Sequence, residues 1–186
     1  IKVFDYNIKE AIEGIETFLA NKKNAISIQE KLNLSLNLSA FLITEGSNSK
    51  AVKILNFMHE PDTFYQKQMG REWLVRKDMI MAIAQASLGN VDNSLKIMKS
   101  IEDKHKDMFI NEQYSMVAPF INALKTYLNH PHEVNKVVLN EIETKINLQK
   151  EKVFRDPRLI LFYSWLKSKF IKKEAYTVLM DEFKNI

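Results

Sequence analysis

The feature that most constrains this chain is a turn that comes back. Residues 44–55 read TEGSNSKAVKIL, with Gly46 between two apolar runs and the small Ala51 five residues on. Gly89 to Ser94 repeats the arrangement, and the KI of AVKIL matches the KI of SLKIM. Leu55 and Met58 then correspond to Met98 and Ile101. Asn129 to Val134 fits the same frame, because asparagine is the next-best residue for a left-handed helix cap. Phe170 to Ala175 and Tyr6 to Ala11 fit it by spacing. The frame positions 6, 46, 89, 129 and 170 stand 40, 43, 40 and 41 residues apart.

A period near 40 with two helices per unit predicts stacked helical hairpins. A single hairpin cannot bury its apolar face, so neighbours must stack. The small residue marks the place where the second helix crosses the first and a Cβ is about all that fits. The expected fold is all-α, a right-handed α-solenoid of stacked antiparallel hairpins. Residues 1–186 are expected to form one such domain. Position 6 lies too early for a preceding helix, so the chain is expected to lack the first half of its first hairpin, as a fragment of a longer protein would.

The helical pattern supports the frame. Ile8, Ile12, Ile15 and Leu19 line one helical face, with Asn7 as N-cap and Glu10 three residues on. Such a face, if the hairpin is truncated, would be exposed and could drive self-association. Leu32, Leu34, Leu36 and Leu38 alternate as in a half-buried strand. Ile28, Leu32, Leu36 and Ile43 also line a helix, and 27–44 is long for a strand and free of breakers, so a helix is expected. Gly46 should end it in the left-handed conformation. A helix from Asn48 to about His59 precedes Pro61. A long one follows from the cap Asp62 to Ser87, bent at Gly70. Gly89 opens the next. Residues 106–128 read as helical, with a kink or split at Pro119. Pro131 and Pro157 suit first helical turns, and a last helix covers about 172–183.

Composition agrees. Only 4 Gly and 4 Pro occur in 186 residues, fewer than the turns of a β-rich fold require. Hydrophobic residues at 46% and charged residues at 27% are ordinary for a globular chain, which argues against general disorder. With no Cys there is no disulfide or thiolate metal site, and a cytoplasmic location is the default. No apolar run approaches the roughly 18 residues of a membrane span, so no membrane partner is expected.

The chemistry of catalysis is missing. The four histidines are His59, His105, His130 and His132. His130-Pro-His132 could bind a metal, but spacing places no third ligand. Zinc-protease, dinucleotide, phosphate-loop and nucleophile-elbow motifs do not occur. Carboxylates are interleaved with lysines, as on solvated helix faces. The expectation is a non-enzyme with no catalytic residues, metal site or cofactor.

The net charge of +4 lies wholly within residues 143–186. Lys167, Lys169, Lys172 and Lys173 surround Trp165 and Phe170, near Arg155 and Arg158. This could be a patch for nucleic acid or an acidic peptide. Lysines also suit helix C-termini, and six acidic residues share the segment. The second explanation is favoured, so nucleic acid is not the expected partner. Phe64, Tyr65, Met69, Trp73, Met79 and Met81 crowd one stretch and are expected to be mostly core.

Gly46-x4-Ala51, with Leu38 and Leu42 before it and Leu55 and Met58 after, resembles the tetratricopeptide (TPR) repeat. The resemblance extends along the whole chain. It departs from the family in period, which is 34 there, and in two first-helix positions, Ser35 and Ser39. The block MGREWLVRKDMI…LGNVDNSLKIM is also similar to bacterial helical-repeat proteins. The resemblance implies a protein- or peptide-binding module whose first helices line a groove. Carried over, its groove positions are Asn33, Leu36 and Ala40, then Glu72, Arg76, Met79 and Ile83, then Gln113, Ala123 and Tyr127. Of these, Asn33, Glu72, Arg76, Met79, Gln113 and Tyr127 are the expected binding residues. Leu36 and Ala40 stand where family members that clamp a terminal carboxylate need basic or amide groups, so that specificity is not implied. Homo-oligomerisation is a further expectation. The alternative function is a C-terminal peptide-sensing and dimerisation domain of a bacterial transcriptional regulator.

Overall fold

Residue 7 begins the first stretch that the computed structural model describes, and the described residues are 7–21, 25–111, 114, 117–130, 140, 144 and 157–184. Among them the secondary structure is entirely helical. The helices are α1 (Ile8–Ala20), α2 (Ile28–Glu45), α3 (Asn48–Asn56), α4 (Asp62–Met69), α5 (Arg71–Ser87), α6 (Val91–His105), α7 (Val117–Asn129), α8 (Pro157–Ile171) and α9 (Ala175–Lys184). One 3₁₀ turn, Met108–Ile110, lies between α6 and α7. The chain divides into two compact units, Ile1–Ile97 and Met98–Ile186.

Local chemistry sets the helix starts. The Asn7 side chain accepts from the Glu10 amide at 3.1 Å, capping α1 as its sequence predicts. Ser27 and Glu30 form a reciprocal box at α2. The Ser27 hydroxyl accepts from the Glu30 amide at 3.1 Å, and the Glu30 carboxylate accepts from the Ser27 amide at 2.8 Å. The alternating leucines therefore belong to a helix. They read as a strand because α2 is covered by α1, α3 and α5, and its second half is buried nearly all round.

The turns at Gly46 and Gly89 are the same structure. Gly46 has φ 101° and Gly89 φ 78°. The Ser47 amide bonds the Leu42 carbonyl at 2.7 Å and the Gly46 amide that of Ile43 at 3.2 Å. At the second turn Asn90 bonds Gln85 at 2.9 Å and Gly89 bonds Ala86 at 3.1 Å. Both are Schellman caps. The next helix then begins alike, Ala51 bonding Ser47 and Ser94 bonding Asn90, each at 3.1 Å. Ala51 and Ser94 are both fully buried, and so are Leu55 and Met98 one turn on.

A third turn of this kind follows α8, but two residues later than the spacing predicts. Its left-handed residue is Lys172 (φ 54°), not Phe170, and the Lys173 amide bonds the Ser168 carbonyl at 3.1 Å. One more residue separates it from the next helix, so the buried first-turn position falls on Val178 rather than Ala175. Asn129, expected as a left-handed cap, is instead the last residue of α7, and the His130 amide bonds the Thr126 carbonyl at 2.9 Å as in a continuing helix. The frame at Tyr6, and Pro131, lie outside the described residues.

Several helix limits differ from expectation: α3 ends at Asn56 rather than about His59, and α9 begins at Ala175 rather than about 172. Gly70, with φ 84° and ψ 165°, breaks the long helix into α4 and α5 instead of bending it. Helix α6 stops at His105, so no helix runs on from Lys106. Pro119 is the third residue of α7, where the missing N–H would have had no helical partner, so the split precedes it. Ile8 and Ile12 are buried and α1 packs on α2, while Ile15 and Leu19 of the same face are half-buried, so the apolar face of α1 is covered only in part.

Within the first unit, α5 is the central helix, packed by α2, α3 and α4 and apolar around most of its circumference. Within the second, α8 is the counterpart. Residues 160–166 are all buried, and its main described contact is with α9.

Candidate functional site

The polar stripe of α5 positions the expected groove residues of the first unit. Glu72 and Arg76 stand one turn apart, with Arg76 Nη2 3.6 Å from Glu72 Oε2 and both side chains part-exposed. Asn33 is exposed on α2. Met79 is only 3% exposed, and Leu36, Ala40 and Ile83 are likewise buried. These four pack in the interior and present no surface to a partner. In the second unit Tyr127 is half-buried, its ring centroid 6.0 Å from that of Phe170, while Ala123 is buried. Gln113 lies outside the described residues.

The break at Gly70 builds an aromatic corner that the pattern of a single long helix conceals. Tyr65 on α4 stacks on Trp73 of α5 at 5.4 Å, with the planes 27° apart. Phe64 meets Tyr65 edge-on at 5.4 Å. Lys77 Nζ stands 5.0 Å over the Tyr65 ring and 3.3 Å from Asp78. The Tyr65 hydroxyl accepts from the Glu60 amide at 3.2 Å. Burial pushes the phenol pKa up, against that hydrogen bond. Both Tyr65 and Trp73 are core residues, as their crowding in the sequence predicts. Phe57, next to this corner in sequence, is 80% exposed. Its loop is held by the His59 Nδ1 contact to the Phe57 carbonyl at 3.0 Å.

The basic end is largely occupied by its own protein. Lys167 Nζ lies 2.8 Å from Glu182 and 5.4 Å over the Tyr163 ring. Lys173 lies 4.0 Å from Asp181. Lys169 stands over Trp165 at 5.2 Å. Trp165 itself is buried, so it anchors the lysine and offers no open face. Arg155 lies outside the described residues.

His59 and His130 are exposed and His105 is buried, while His132 lies outside the described residues. Among the described residues no three His, Cys, Asp or Glu side chains gather to hold a metal. None of the described helices is long and apolar enough to cross a membrane.

No family model matches the chain, and no solved structure does. Among curated proteins, the glycine–tRNA ligase beta subunit of Oceanobacillus iheyensis is 27% identical over 153 residues. The alignment covers 80% of this chain but only 20% of that subunit, so the chain spans about a fifth of the relative's length.

Proposed function

We propose that this chain is a non-catalytic interaction module built of stacked, TPR-like helical hairpins, binding a protein or peptide segment. The observation that carries the reading is the bond-for-bond identity of the Gly46 and Gly89 turns, with a third of the same kind at Lys172. Repetition of one supersecondary unit is the mark of scaffolds that offer extended surfaces rather than a single reacting centre. In the first unit the polar groups on offer are Asn33 on α2 and the Glu72–Arg76 pair on α5, which suit a peptide's backbone and charged groups. In the second it is Tyr127.

A peptide library displayed on phage and selected on the folded chain tests this. Selected peptides should lose at least tenfold in affinity for the Asn33→Ala, Arg76→Ala double variant, with the melting temperature within about 1 °C, because exposed pairs of this kind contribute little to stability. Unchanged affinity would move the site elsewhere.

The likeness to a tRNA ligase subunit, together with the excess of four positive charges in the last quarter, favours a second reading: a helical segment that touches tRNA. Bulk tRNA titrated against the labelled chain distinguishes them. Binding that weakens steeply with salt supports the second reading; none at 50 mM salt removes it.

A further inference from the structure

Helix α4 stands outside the hairpin pattern. The Gly46 turn joins α2 to α3 and the Gly89 turn joins α5 to α6, and α4 lies between the two pairs. It has eight residues, and helices shorter than about 12 residues are marginal without tertiary support. Pro61 at its start offers no side-chain cap, and Gly70 at its end holds φ 84° and ψ 165°, a conformation open almost only to glycine. Among the described helices α4 packs chiefly on α5. Tyr65 supplies most of its hold, buried against the Trp73 ring with Lys77 Nζ 5.0 Å over its own. Gln68 adds a bond at the edge, its Oε1 accepting from Gln29 Nε2 of α2 at 2.8 Å.

We propose that this seat on α5 is a docking site for a short helical segment bearing a tyrosine or tryptophan ring, and that α4 is the strap such a segment displaces. Helix α4 itself shows what the seat accepts. The Trp73 face takes an aromatic ring in stacked geometry. The Lys77 ammonium, held 3.3 Å from Asp78, favours the electron-rich face of a tyrosine or tryptophan over an aliphatic chain. The Trp73 indole N–H is buried with no acceptor among the described residues, so an incoming carbonyl would gain a bond that α4 does not make. Trp73 and Lys77 stand one turn apart, each one residue on from Glu72 and Arg76, so the seat borders that polar pair. The docking site rests on the peptide-binding reading and extends it from polar groups to an aromatic anchor.

Hydrogen exchange followed by mass spectrometry on the native full chain, and binding of a fluorescent peptide of residues 61–70 (PDTFYQKQMG), test this. Amides of residues 62–69 should exchange at least tenfold faster than those of 74–84, since a strap opens without unfolding α5. The peptide should bind the Tyr65→Ala chain at least tenfold more tightly than the parent, because the seat is vacated there. The same peptide with alanine in place of its tyrosine should lose at least tenfold on that variant. A common exchange rate for the two helices in the parent overturns the proposal without recourse to any variant. So does equal affinity of the two peptides, or no binding by either. These measurements read the α4 seat alone, whereas the Asn33→Ala, Arg76→Ala variant reads the polar groups, so the two failures are distinct.

Discussion

The Ser94 hydroxyl donates to the Ala82 carbonyl at 2.8 Å, stitching the first turn of α6 to the middle of α5. Ser94 has no exposed surface, and neither does Ala51 at the matching point of the first turn. The two sites do the same job with different chemistry. Each lets the backbone of one helix approach its neighbour, and at the second the small side chain also makes a hydrogen bond.

Enlarging these residues should therefore cost more than trimming them. Ala51→Leu is expected to destabilise the fold by about 1–3 kcal/mol, because a packed crossing cannot take the added volume without backbone shifts. Ser94→Ala should lose only about 0.5–1.5 kcal/mol, the net worth of one hydrogen bond. Urea unfolding of both variants measures the difference. A milder effect from Ala51→Leu than from Ser94→Ala would show that close approach is not what the frame selects.

Lys172 does with a side chain what Gly46 and Gly89 do without one. A left-handed non-glycine residue costs about 1–2 kcal/mol, and glycine gives back about half of that advantage in chain entropy. Lys172→Gly should thus stabilise the protein by about 0.5–1 kcal/mol, a rise of roughly 1–4 °C in Tm. Gly46→Ala should lower stability by about 1 kcal/mol or more. An added Cβ there would meet nothing within 4 Å, so the loss would come from the backbone alone. Gly46→Asn should recover part of it, since asparagine tolerates the same region. Thermal melts of the three variants decide the matter.

Glu30 carries a pH dependence. Hydrogen bonds from the Ser27 amide and hydroxyl to its carboxylate hold its pKa below the ordinary value of 4.5. A folded-state pKa below the unfolded one means that the contribution is fully present above about pH 4.5 and disappears as pH falls through the lowered value. Glu30→Gln keeps an acceptor but removes the charge. Its Tm should lie below that of the parent at pH 7, and the gap should close by about pH 2–3. A gap that persists in acid would place the effect outside the capping box.

Much of the local structure was legible in the residues because its causes are local. Asn7 with Glu10 and the left-handed glycines at 46 and 89 satisfy backbone groups within a few positions of themselves. Pro157 likewise opens its helix as its sequence predicts. The third turn was misplaced by two residues because it lacks the glycine that marks the others, and a lysine in that conformation leaves no composition signal.

The site was less legible. Met79 lies one turn beyond Arg76, and the family frame places both on one groove, yet only Arg76 keeps exposed surface. Periodicity cannot separate a groove face from a core face on a helix such as α5, which is apolar nearly all round. The packing of α2, α3 and α4 against it made that choice.

The sequence by itself determined an all-helical chain, the two glycine turns and most helix starts, since each depends on backbone hydrogen bonds closed within five residues. Only the tertiary structure decided which faces are covered and that Gly70 breaks a helix to bring Tyr65 onto Trp73. Those outcomes depend on contacts between residues on different helices, and desolvation is a property of the packed surroundings rather than of the residue.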